Sequence, residues 1–337
     1  CGDNDDDRQD FGDAGFCSLR GNRRTRATRD KAVAFEAEAE GDSLRKLAIT
    51  PVRVSGAALI AVAVAMFLSA IVALVDGGGG AIGLLLSALI AASLGATLFF
   101  GSRVSPAADS ALAFASVAWS WLAVSLVGAI PFLLTGVITW GRFDDAIFES
   151  ISGFTCTGST IFSDFSVIPQ GVLFYRSLTQ WLGGMGLVVL AVAVLPALGI
   201  GGLELIASEA PGPTADRLSL RVRDTARRLW ILYGAATSVV AVALFAVGMS
   251  AFDAVTHAFT TVATGGFSPH ADSIAHFDSF LIEIVIIGGM LYAGANFSIH
   301  WRALKEGPGA YGRVSEVRWY LWLIFGCFGL LVWINNG

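Results

Sequence analysis

Charge is what this sequence has least of. Only 15% of its 337 residues are charged, against about 25% in an average soluble domain. With 55% hydrophobic residues and a mean hydropathy of +0.67, that scarcity argues against a single water-soluble globule and against a disordered chain. Cysteine is scarce too. The four present have no metal-like spacing, which argues against a zinc module and a disulfide scaffold. No HExxH, Walker or nucleophile-elbow motif occurs, so an enzyme is the weakest reading and no bound cofactor is expected. The formal charge of −5 gives no basis for nucleic-acid binding, because the cations sit in a few loops.

What the chain has instead is long apolar runs. A bilayer core of about 30 Å needs about 20 apolar residues in a helix. Runs that fit are Val52–Val75, Ala81–Phe100, Ala111–Leu134, Leu173–Leu198, Leu229–Met249, Phe280–Ile299 and Trp319–Ile334. An all-α polytopic membrane protein follows, since a soluble chain would not bury so many all-round apolar helices. Orientation follows from the cations. Nine of the 22 Lys and Arg precede residue 50, and the rest cluster after the second, fourth and sixth runs, apart from Arg53, Arg142 and Arg176. If segments alternate, all but Arg142 and Arg176 share one side, which the positive-inside rule makes cytoplasmic. The opposite side carries Asp76, Asp144, Asp145, Glu149, Asp164, Asp253, Asp272 and Asp278, an acidic mouth that would concentrate cations.

That parity holds only if two shorter stretches do not cross, Phe143–Gly158 and Phe252–Gly266. About ten helical residues reach only half way through a bilayer. These stretches suit re-entrant half-helices with a return strand. They are also related to each other. With Asp145-Ala146 set on Asp253-Ala254, Gly158 falls on Gly266, and further on Gly183-Gly184-Met185 is echoed by Gly288-Gly289-Met290. Each copy reads helix, half-helix, Thr/Gly strand, helix, in the same sense. Such copies suit an axis along the membrane normal.

Non-helical backbone at membrane depth is tolerated where it is buried in protein or lines a watery cavity. Carbonyls of Thr155, Cys156, Thr157 and Gly158, and of Ala263, Thr264, Gly265 and Gly266, would be such backbone. Rings of carbonyls replace the hydration shell of an alkali cation, and neutral oxygens suit potassium. The register selects Gly266 opposite Gly158, with Gly265 open as the alternative. Arg176 either tethers the adjacent loop through backbone carbonyls or snorkels to the interface. Asp144, Asp145 and Glu149 either bias cation entry or form a solvated mouth. Gly183, Gly184, Gly186, Gly288 and Gly289 read as close-packing points between helices. His257 reads as a packing residue, and Glu283 as an acid near the outer end of its helix. The Arg217–Arg228 cluster suits acidic lipid. Secondary transport of another cation or small solute is the alternative, and a non-transporting scaffold is a third reading.

The stretches FESISGFTCTGST, LFYRSLTQWLGGMGLVVLAVAVLPALGIGG, EAPGPTADRLSLRVRDTARRLW and FDAVTHAFTTVATGGFSPH resemble the membrane subunit of the Trk/Ktr/HKT superfamily of potassium transporters, closest to the TrkH type. The resemblance runs from about Val52 onward. It implies four helix–pore loop–helix (M1-P-M2) repeats around one potassium pathway, a bacterial inner-membrane location, a homodimer, and a cytosolic nucleotide-binding RCK partner of the TrkA kind. Residues 1–43, polar and without periodicity, read as a disordered cytoplasmic tail, and 44–105 as two extra helices. Residues 106–202 form the first repeat, 203–228 a cytoplasmic loop, 229–304 the second repeat, and 305–337 a loop with the first helix of a third. The chain is then an N-terminal fragment unable to conduct alone. Cys156 stands where the resemblance leads one to expect Thr.

Overall fold

The computed structural model describes residues 51–102, 110–197 and 214–336. The 1–43 tail and the Pro211-Gly-Pro213 turn lie outside them. Helix α1 (Pro51–Val75) packs beside α2 (Ala81–Gly101). Close approach is possible because Gly56 and Gly95 face each other, and a Cβ on either would run into the other helix's backbone within 3.0 Å. Four glycines, Gly77–Gly80, make the turn between them.

The first repeat opens with α3 (Ser110–Val127). The sequence predicts one run over 111–134, yet the helix stops at Gly128 and restarts as α4 (Ile130–Leu134). Pro131 is the cause: it has no N–H to give the preceding turn, and its ring clashes with a continuing helix. The Gly128 carbonyl left over accepts from the Tyr175 hydroxyl at 2.9 Å, which satisfies it inside the bilayer. Then come the half-helix α5 (Phe143–Phe154) and α6 (Gln170–Ala197).

The second repeat has α7 (Thr214–Ala246), the half-helix α8 (Ala251–Val262) and α9 (Phe280–Ala293). Helix α7 starts inside the segment expected to be a loop at 203–228. Its first turns are polar, so hydropathy alone places the start too late. The 280–299 run is also not one straight span. Helix α9 ends at Ala293, and α10 (Phe297–Glu306) leaves at 93°. The Asn296 side chain accepts from the Ser298 amide at 3.0 Å, which starts a new helix. The amphipathic α10 carries Trp301, Arg302 and Lys305 and continues through α11 (Gly309–Arg313) into α12 (Ser315–Asn336).

Among the described residues, five stretches are long and apolar enough to cross a membrane: Pro51–Val75, Ala81–Gly101, Phe114–Leu134, Ala226–Ala246 and Ser315–Asn335. The bent α9–α10 pair adds a sixth by the same measure. Leu68, Leu89, Val239, Phe245 and Ile287 project outward, as a lipid-facing surface requires. The protein is an all-α, multi-pass membrane protein. Among the described residues the interior has two apolar clusters. One joins Leu59, Met66, Leu84, Phe132, Phe154 and Tyr175. The other joins Met185, Leu229, Tyr233, Leu244, Ile286 and Phe297. Helix α6 contributes to both and runs between the repeats.

Candidate functional site: two re-entrant hairpins

Both half-helices enter and return on one side. The start of α6 lies against the α1–α2 turn, where a Cβ on Gly79 would meet Pro169 at 3.6 Å. That turn also meets the end of α4, through Gly80 and Thr135. From there α5 descends until the Phe154 carbonyl abuts Gly183, half way along α6. The chain then climbs back to Gln170. The second hairpin reaches the same depth. A Cβ on Gly184 would lie 3.1 Å from Ala263.

Why the two hairpins turn alike can be read off the backbone. In the first, the amides of Thr155, Cys156 and Thr157 donate to the carbonyls of Ile151, Gly153 and Ser152 at 2.9, 3.1 and 3.0 Å. In the second, Ala263, Thr264 and Gly265 donate to Phe259, Thr261 and Thr260 at 3.1, 3.1 and 2.8 Å. Each is a left-handed helix termination. Cys156 and Thr264 both have φ of 54°, and Gly158 and Gly266 have φ of 77° and 85°. Thr157 and Gly265, between them, do not take positive φ. Gly158 and Gly266 thus occupy the same place in the two turns. The turns also meet: a Cβ on Gly158 would collide with the Gly265 carbonyl oxygen.

Arg176 holds the hairpins together. It is 1% exposed, so it does not snorkel. Its Nε donates to Glu149 Oε1 at 2.7 Å, one terminal nitrogen to the Ser268 carbonyl at 3.2 Å, and the other to Thr160 Oγ1 at 3.1 Å. The Phe267 ring lies 4.1 Å from its guanidinium carbon. One cation therefore ties the first half-helix and the return strands of both hairpins. Glu149, grouped with the acidic mouth on sequence grounds, is a correction: it is 1% exposed, and it also accepts from the Thr160 hydroxyl and the Ile161 amide. Its place on the inner face of α5 takes it out of the mouth. Asp144 does remain exposed. The Ser166 hydroxyl and then the Ser166 amide donate to Asp164 and hold its carboxyl below the usual range.

Gln180, one turn below Arg176, is fully buried. Its Nε2 donates to the Gly265 carbonyl at 2.9 Å, and its Oε1 accepts from the Phe267 amide at 3.0 Å. Sequence reading missed Gln180, Thr160 and the pairing of Glu149. The available signal was two strongly polar side chains at i and i+4 on an otherwise apolar helix. His257 is buried and bonded on both ring nitrogens, to the Asp253 carbonyl and the Ser268 hydroxyl, as a packing residue should be. Among the expected packing glycines, Gly183, Gly184 and Gly289 are in tight contact, whereas a Cβ on Gly186 or Gly288 would meet nothing within 4 Å. Glu283 is exposed in the first turn of α9. Cys156 Sγ lies 3.3 Å from the Gln180 carbonyl. The Arg217–Arg223 side chains lie outside the described residues.

Helix, half-helix, glycine turn and returning strand, then helix, twice in the same sense: that arrangement defines a pore-loop membrane protein. The profile of the TrkH family, described as a cation transport protein, matches residues 85–318, and the chain belongs to that family. The chain is 45% identical over 194 residues to a Trk system potassium uptake protein TrkH of Halomonas elongata, covering 57% of this chain and 40% of that protein. It is 36% identical over 290 residues to the Vibrio parahaemolyticus TrkH, covering 83% of this chain and 60% of that protein. The crystal structure titled as the potassium transporter TrkH from Vibrio parahaemolyticus superposes with a TM-score of 0.73 at 33% identity, over 86% of this chain and 60% of that one. The chain thus spans about 40 to 60% of the length of these relatives.

Proposed function

We propose that this chain supplies two of the loops lining a potassium pathway across the membrane. The observation that carries the reading is the pair of matching turns, set half way along α6, touching at Gly158 and Gly265, with Thr155, Thr157, Thr264 and Gly266 left accessible. In an ordinary strand successive carbonyls point to opposite sides. Left-handed φ at every second residue, 156 and 158 or 264 and 266, instead turns them toward one side. The carbonyls of Thr155–Gly158 and of Ala263, Thr264 and Gly266 then offer neutral oxygens at short intervals to a dehydrated monovalent cation, while that of Gly265 is taken up by Gln180. The C-terminal ends of α5 and α8 direct their partial negative charge at the same place. Every charged group of the Arg176–Glu149 cluster is bonded, which suits a frame for the loops.

Potassium is here cargo, not a resident cofactor. The chain's relatives, potassium uptake proteins by name, support potassium as the ion, and the cation clusters support a cytoplasmic N-terminus in a bacterial inner membrane. A homodimer docking a TrkA-like RCK ring is the assembly that family membership favours. The test is potassium-limited growth of uptake-deficient cells expressing the complete protein. Wild type rescues growth. Gly158→Asp places a bulky anion against the Gly265 carbonyl and abolishes rescue at equal membrane abundance. Normal rescue by Gly158→Asp would falsify the reading.

A further inference from the structure

The two loops are not held in the same way. In the first hairpin, the Ser152 hydroxyl on the half-helix donates to the Ser159 carbonyl at 2.5 Å, bracing the strand just past Gly158. The equivalent residue in the second hairpin is Thr260, and its hydroxyl bonds back to His257 within α8, at 3.2 Å. From its own half-helix the second strand is held farther out, by His257 on the Ser268 hydroxyl and Asp253 on His270, and among the described residues α8 provides no brace beside Gly266. Gln180 supplies one from the other repeat. Its amide grips the carbonyl before Gly266 and the amide after it, so Gly266 is held between two fixed peptide groups at φ 85°. The partners dictate the amide's orientation: a carbonyl requires the NH2, and an N–H requires the oxygen. The glycine echo between α6 and α9 aligns Gln180 with Val285, which can form neither bond. The grip occurs once and crosses from the first repeat to the second.

We propose that Gln180 is the positioning residue that sets ion discrimination at the second loop. This rests on the reading that both loops line the pathway. A ring of oxygens prefers a larger cation to a smaller one only while it resists closing around the smaller one. Gln180 fixes the peptide on each side of Gly266, and with it the direction of the neighbouring carbonyls. Without it, the strand can relax toward sodium. Arg176, on the Ser268 carbonyl, fixes the strand's outer end and leaves this peptide free.

The experiment measures potassium and sodium flux in the same proteoliposomes containing the complete protein, as wild type, Gln180→Glu, Gln180→Met and Gly158→Asp. Gln180→Glu keeps shape and the acceptor for Phe267 but faces the Gly265 carbonyl with an oxygen. Gln180→Met keeps volume and loses both bonds. The sodium-to-potassium flux ratio does not depend on how much protein is incorporated. Each Gln180 variant should raise it roughly three- to tenfold, the scale of one or two lost hydrogen bonds, with a higher apparent KM for potassium. Unchanged ratios in both, with Gly158→Asp inactive, overturn this proposal and leave the pathway reading standing. Absence of flux for either ion in both Gln180 variants also overturns it, since Gln180 would then serve only the fold. Normal flux through Gly158→Asp removes the pathway reading and this proposal together.

Discussion

Arg176 is a cation that the bilayer interior would reject if it stood alone. Its burial is tolerated because Glu149 neutralises it and because Thr160, Ser268 and the Phe267 ring take up the rest of its surface. Buried pairs of this kind are asymmetric. Removing one partner leaves an uncompensated charge, at about 3 to 5 kcal/mol, whereas replacing both with apolar residues is often close to neutral. Glu149→Gln should therefore lower the thermal unfolding midpoint of the purified complete protein sharply, and the double variant Glu149→Leu/Arg176→Met should recover much of the loss. A double variant no more stable than Glu149→Gln would show that the cross-loop bonds of Arg176 matter beyond its charge.

At the scale of elements, the half-helices were legible because they are short, bounded by Asp at one end and glycine at the other, and repeated. The breaks at Gly128 and Gly294 were not. Hydropathy averages over a window, and neither Pro131 nor Asn296 lowers that average enough to divide a run. Start positions erred for the opposite reason: the first turns of α7 are helical but polar. The Arg176 and Gln180 contacts were hidden because their partners on the second strand lie about 90 residues away. The notion that Arg176 tethers a loop was legible, but the second hairpin as a target was not. Packing glycines give a sharper test. Gly183→Ala drives a methyl into the Phe154 carbonyl, and overpacking of this sort costs typically 1 to 3 kcal/mol. Gly288→Ala meets nothing within 4 Å and should stay within about 0.5 kcal/mol of wild type. Unfolding midpoints of the two variants in detergent make the comparison.

For the whole molecule, the sidedness argued from Lys and Arg has a direct check. In a background without native cysteines, Asp272→Cys in the loop after the second hairpin should react with a membrane-impermeant maleimide in intact cells. Gly309→Cys, between α10 and α12, should react only after permeabilisation. Reversed labelling would invert the topology and move both hairpins to the cytoplasmic face.

The position of α6 has a further consequence. It closes the first repeat, yet two of its side chains hold the backbone of the second. Descendants of a duplicated unit usually drift independently, because each copy answers only to its own interior. Here the two copies differ at one seam, where Gln180 stands in one and Val285 in the other. Because α6 grips main-chain atoms at 265–268, the side chains of that strand can change while its path cannot, so the second loop keeps its shape only beside the first repeat.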